Sequence, residues 1–161
     1  MNSPDKLRFA FEGGEIELPL TEAPPSLLRL AEIWNEKRGS NPLPPRAHFS
    51  FDDIVPWLGY LHLLELVDDD FQFRIFGSAV AAWLGHDYTG RRLSDIVSQV
   101  PEVGTKAAAG YHRTIAAAAP VYLYTEIARH RGTDFGWSRL LLPLGEGARV
   151  THLMIAIHYR P

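Results

Sequence analysis

The stretch that most constrains this chain is residues 71–96, FQFRIFGSAVAAWLGHDYTGRRLSDI, because its hydrophobic period changes partway along. Phe71, Phe73 and Ile75 alternate, the period-2 pattern of a half-buried strand, and Gly77 ends it. From Ser78, a candidate N-cap, Val80, Trp83 and Leu84 recur three to four apart, which puts them on one face of a short helix. Gly85 suits the position that closes such a helix, Gly90 marks a second turn, and Leu93 with Ile96 begins another one-sided apolar turn. A strand therefore runs straight into two or three very short helices punctuated by glycines.

The flanking segments repeat this mixture. Residues 60–67 read as a strongly apolar strand, and Asp68-Asp69-Asp70 as a tight solvated turn back into residues 71–76. Pro101 begins the longest helical candidate, about residues 102–118, rich in alanine and ended by Pro120. Three strands follow at 121–129, 137–144 and 150–159, with turns around Gly132-Thr133-Asp134 and Gly145-Glu146-Gly147 short enough to make them antiparallel neighbours. Two strand groups around a helical cluster predict an α+β domain. Residues 140–144 and 150–157 are apolar at both parities, as in a sheet covered on both faces.

Upstream, Pro25 and Ser26 open a helix with Leu27, Leu30, Ala31 and Trp34 on one side and Arg29, Glu32 and Glu36 on the other, and Gly39 stops it. Its apolar side predicts either a cover for the sheet's second face or a contact with a second copy. Residues 40–49 are too rich in proline for regular structure, and Ser50 with Asp53 forms a capping pair for a short helix ended by Pro56. Residues 1–25 read as an extension, with a small hairpin over residues 7–18 around Glu12-Gly13-Gly14.

Trp83-Leu84-Gly85 and Gly90-Arg91-Arg92-Leu93 resemble the short helix, glycine and Gly-Arg-leucine sequence of the PAS sensor family. The closer resemblance is to the stand-alone single-domain PAS proteins of alphaproteobacterial type. Their W-x-x-K-R-G, P-x-R-x-x-F, P-W-L-G-x-L, F-x-x-R-x-F-G and R-L-L-L-P-L patterns have counterparts at residues 34–39, 45–49, 56–61, 71–77 and 139–144. The resemblance covers about residues 26–161, the helix at 26–38 included. It implies a five-stranded antiparallel sheet of order 2-1-5-4-3 with helices on one face. It also implies a bacterial signalling role, in which helices of the domain shift between states of similar energy.

Composition narrows the chemistry further. There is no cysteine, which excludes disulfides, thiolate nucleophiles and the thiol adducts that photoactive flavin and hydroxycinnamate PAS domains use. A formal charge of −3 gives no electrostatic footprint for nucleic acid. No apolar run approaches the roughly 18–20 residues that span a bilayer, and the N-terminus lacks a signal-peptide profile, so a cytoplasmic protein is expected. GxGxxG, GxxxxGK[ST], GxSxG and HExxH are all absent. No catalytic residues and no metal site are expected, and the chain reads as a binding domain rather than an enzyme.

The candidate pocket residues are Arg74, Trp83, Tyr111, His112, Tyr122, Trp137 and Arg139, which combine apolar walls with a few polar tips. An arginine among aromatics can hold a carboxylate or phosphate. Haem-binding PAS domains use a histidine on the long helix, but the helix ends place that ligand near Ala108, one turn before His112, which argues against haem. His152 and His158 lie roughly 20 Å apart along one strand, too far for a shared metal. The expected ligand is an unidentified small molecule and the expected partner an unidentified signalling protein, with homodimer formation through the helix at 26–38 a further option. Two other readings are kept: a ligand-free interaction or dimerisation module of the same fold, and a small α+β lyase or isomerase pairing His112 with Asp87 or Asp95.

Overall fold

The computed structural model describes residues 14–126 and 136–160. Along the chain lie β1 (Ile16–Leu18), α1 (Pro25–Arg38), α2 (Phe51–Ile54), β2 (Leu61–Val67), β3 (Asp70–Ile75), α3 (Ser78–Leu84), α4 (Leu93–Gln99), α5 (Pro101–Ala117), β4 (Val121–Glu126), β5 (Gly136–Glu146) and β6 (Arg149–Arg160). Short 3-10 turns fill several of the links.

The strands form one six-stranded sheet of order β1-β4-β5-β6-β2-β3, antiparallel throughout. This corrects the expectation of five strands: a sixth is added at one edge and changes the full order, while the other five, read from β3 to β4, run in the expected 2-1-5-4-3 succession. The added strand is β1, which pairs with β4 through Ile16↔Tyr124 and Leu18↔Tyr122, so the N-terminal extension contributes to the main sheet. The first arm of the hairpin expected over residues 7–18 lies outside the described residues, as does the turn at 132–134. The β2–β3 hairpin turns through Asp68 and Asp69, both at positive φ, the conformation that suits the right-handed twist of its strands. Beside β3, Gly90 donates its N–H to the Phe73 carbonyl at 2.7 Å and the Arg91 carbonyl accepts from Phe73 at 3.0 Å, which closes that edge.

Both faces of the sheet are covered, as the unbroken apolar strands require. On one, which we term the inner face, α3, α4 and α5 pack against Leu64, Phe71, Phe73, Leu141, Leu153 and Ile155. On the outer face α1 lays Leu27, Leu30, Ala31, Ile33 and Trp34 over Leu61, Leu140, Leu142, Leu144 and Met154. Trp34 donates its indole N–H to the Pro143 carbonyl at 2.7 Å. The apolar stripe of α1 is therefore buried on its own sheet.

Local signals set the element ends. Ser50 and Asp53 form the reciprocal capping box of α2. Gly85 closes α3 in the left-handed conformation at φ 77°. Ser78 does not cap α3: Gly77 holds the N-cap position and no side chain bonds the free N–H groups. The long helix starts at Pro101 and ends one residue before Ala118, which adopts the left-handed cap itself at φ 47°.

Candidate functional site

Between the inner face and helices α3–α5 lies a cavity of about 60 Å³. Phe73 and Phe76 reach it from β3 and the residue just beyond, Val80 and Leu84 from α3, and Val103, Ala107 and Tyr111 from successive turns of α5. Two glycines set its frame. A Cβ on Gly77 would stand 2.6 Å from the Gly59 carbonyl oxygen, so only glycine lets the chain leave β3 there. A Cβ on Gly110 would stand 2.8 Å from an Arg139 guanidinium nitrogen, so its absence lets that group pass beside α5.

Buried polar side chains stand at or beside this apolar space. His62 is buried and stacks on Phe76 at 4.2 Å, and its Nδ1 accepts the Gly77 N–H at 3.1 Å. Burial, then the Arg139 charge, pushes its pKa down to about 3 against a weaker opposing pull from Asp87. The ring is thus neutral and carries its proton on Nε2. Trp137 is 8% exposed, and its Nε1–H has no hydrogen-bond partner among the described residues. Across the β4–β5 pair from it stands Thr125, whose buried hydroxyl is likewise unpaired among those residues.

Arg139 is 2% exposed, an unusual place for a charge. Its Nε and Nη2 donate to the two carboxylate oxygens of Glu15 at 2.7 and 2.6 Å, a bidentate pair across 124 residues of sequence. The guanidinium also stands 5.7 Å over the Tyr111 ring. Burial works against its charge, but Glu15 outweighs that by charge and hydrogen bond, so the arginine pKa is raised. Burial pushes the Tyr111 phenol up as well, with Arg139 opposing.

Four of the seven residues expected at a pocket line this cavity: Trp83, Tyr111, Trp137 and Arg139. Three are placed elsewhere. Arg74 has parity opposite to Phe73 and forms a part-exposed ion pair with Glu65 at 2.6 Å. Tyr122 is buried in the outer core beneath α1. His112 is exposed, its ring edge 5.6 Å from Phe71, so α5 brings no imidazole to the cavity. Asp87 and Asp95, the carboxylates considered for proton transfer with His112, accept local hydrogen bonds from Thr89 and the Arg92 N–H.

His62, Phe76 and Tyr88 belong to the site and were not among the expected residues. Apolar neighbours on both sides of His62 signal a strand buried on both faces, which makes any histidine in it a buried one. Glu15 carried no comparable local signal. Among the described residues no cluster of three or more candidate ligands could hold a metal, and no helix is long and apolar enough to cross a membrane.

Neither the curated proteins nor the solved structures hold a match to this chain. A family model described as PAS domain matches residues 22–156, a span that takes in α1, the helices over the cavity and nearly all of the sheet. With an antiparallel sheet carrying short helices over an internal cavity along that same span, the chain belongs to the PAS domain family.

Proposed function

We propose that this domain is a sensor: a small molecule enters the cavity between the inner face and α3–α5, and the helices convey the change to a partner protein by surface contact. The observation that carries this reading is the apolar cavity under α3–α5 with an indole N–H at its wall that has no partner among the described residues. A buried donor without an acceptor costs about 1–3 kcal/mol, and a ligand acceptor would recover much of it. The cover is suited to response, because α3 and α4 have seven residues each and helices of that length hold only through packing. The domain works in this reading by binding, without turnover, in the cytoplasm.

Native mass spectrometry of freshly purified protein, joined to a thermal-shift screen of metabolites, tests the proposal. A ligand at 100 times its dissociation constant adds about 2.7 kcal/mol. A co-purified small molecule or a saturable shift is the expected outcome.

One observation favours a second reading, a ligand-free interaction or dimerisation module. At about 60 Å³ the cavity is far below the roughly 300–1,000 Å³ of ordinary ligand pockets, so its own side chains nearly fill it. Silence across the screen together with a concentration-dependent dimer would favour the module.

A further inference from the structure

We infer that the cavity takes a small monocarboxylate with a compact apolar body, and that the ligand carboxylate competes with Glu15 for the Arg139 guanidinium. The inference rests on reading the cavity as a ligand site, and it names the ligand's chemistry.

Three polar groups at the wall share a direction, beside the Tyr88 and Tyr111 hydroxyls, which can donate or accept. The Trp137 indole N–H, the His62 Nε2–H and the Arg139 guanidinium are all donors, set among Phe73, Phe76 and Leu93. A ligand ammonium would bring only donors to a wall that has one unmatched among the described residues, and a hydroxyl accepts but brings no charge to meet the guanidinium. An acceptor matches it, and the one cationic side chain in the lining selects a carboxylate over a neutral carbonyl.

Arg139 already holds a carboxylate, and that fact sets the mechanism. Glu15 occupies the Nε–Nη2 edge of the guanidinium, the edge that pairs best with two carboxylate oxygens. A ligand carboxylate added beside it would put two negative charges on one buried positive charge, an arrangement that low-dielectric surroundings penalise. Ligand and Glu15 therefore exclude each other. The guanidinium lies beside Gly110, between the groove that holds Glu15 and the cavity that Arg139 also lines, so both carboxylates would reach it from there.

Release of Glu15 has a structural consequence. β1 begins at the next residue, and among the described residues it is otherwise held by a three-residue pairing with β4, the packing of Leu18 on the outer core and the ion pair of Glu17 with Arg113, whose side chains are about half exposed. A three-residue edge strand is short even for a sheet, so loss of the buried pair loosens the whole segment. Cavity occupancy is thereby converted into freedom of the N-terminal strand.

Isothermal titration of the full chain tests this with acetate, butyrate, hexanoate and benzoate, each against its primary amide. NMR follows the Trp137 indole N–H and amide exchange at residues 16–18. At least one acid is expected to saturate, about tenfold or more tighter than its amide, with the indole signal shifted and exchange at residues 16–18 accelerated. Glu15→Gln removes the competitor and is expected to bind the same acid about tenfold tighter. If that variant fails to fold, Glu15→Asp, whose shorter arm weakens the pair, is expected to tighten binding about threefold. Equal affinity for acid and amide, or a Glu15 variant no tighter than the wild type, overturns the carboxylate inference while leaving the sensor reading intact. No acid bound by either protein also overturns it, and the co-purification experiment then decides the sensor reading separately.

Discussion

The two faces of the sheet bury similar amounts of apolar side chain and treat their polar groups in opposite ways. On the outer face one 14-residue helix covers a layer of leucines, and the indole N–H that enters it, that of Trp34, is paired with the Pro143 carbonyl. On the inner face three helices cover a cavity lined by two tryptophans, and the indole N–H of one of them, the buried Trp137, is unpaired among the described residues. Arg139 and His62 are buried on that side too. Local consistency is complete on one face and broken on the other, and breaks of that kind concentrate where a protein acts rather than where it merely holds together. α1 serves as the lid of the foundation, and α3–α5 as the lid of the site.

The sharpest way to break this comparison is to remove one leucine from each side. Leu142→Ala, in the fully buried outer layer, is expected to cost about 3–5 kcal/mol in urea unfolding, because the surrounding strands cannot close the hole. Leu93→Ala, on α4 at the cavity wall, is expected to cost about 2 kcal/mol, since its side chain already borders empty space and a short helix can settle inward. Equal losses would mean that the inner face is packed as tightly as the outer.

Acid comes next in size. His62 is neutral in the folded state with a pKa of about 3, while an unfolded histidine titrates near 6.5. Between those values the unfolded chain binds the proton and the folded one does not. The contribution is therefore complete above about pH 6.5 and lost as pH falls toward 3, at about 1.4 kcal/mol per pH unit inside that window. Comparing wild type with His62→Phe at pH 7 and 4.5 isolates it: the variant starts lower, because the Gly77 N–H loses its acceptor, but declines less steeply. His152, across the strands from Glu65 and Leu144, is only partly buried and has Glu65 opposing the downward push, so its replacement is expected to change the slope less.

How much of this could be read from the chain depended on whether the signal was local. The switch of period at Gly77, the glycine at 85 and the Ser50–Asp53 cap are all local, and they placed the elements. Strands apolar at both parities announced a second cover, and the stripe on α1 supplied it. Those same strands hid the site, because when both parities are buried the sequence does not say which face is which. Tyr122 sits between Val121 and Leu123, all three buried, and it is the flanking pair that faces the helices. His112 follows Tyr111 by one residue, about 100° around the helix, so placing Tyr111 in the cavity turns His112 outward. The Glu15–Arg139 pair and the sixth strand join segments more than a hundred residues apart, and no local pattern encodes such a meeting.

The two indoles allow the finest test of the difference between the faces. Trp34→Phe keeps an aromatic ring but strips the Pro143 carbonyl of a 2.7 Å hydrogen bond in a dry layer, so a loss of about 1–3 kcal/mol is expected. Trp137→Phe removes a donor that had no partner among the described residues. Its smaller ring forfeits some packing, while the desolvation penalty of the orphaned N–H disappears, so the net change is expected within about 1 kcal/mol of zero. Chemical denaturation of the two variants measures both effects on one scale. A Trp137→Phe loss as large as that of Trp34→Phe would show that the inner indole is tied down as firmly as the outer, and the contrast between a satisfied foundation and an unsatisfied site would fall with it.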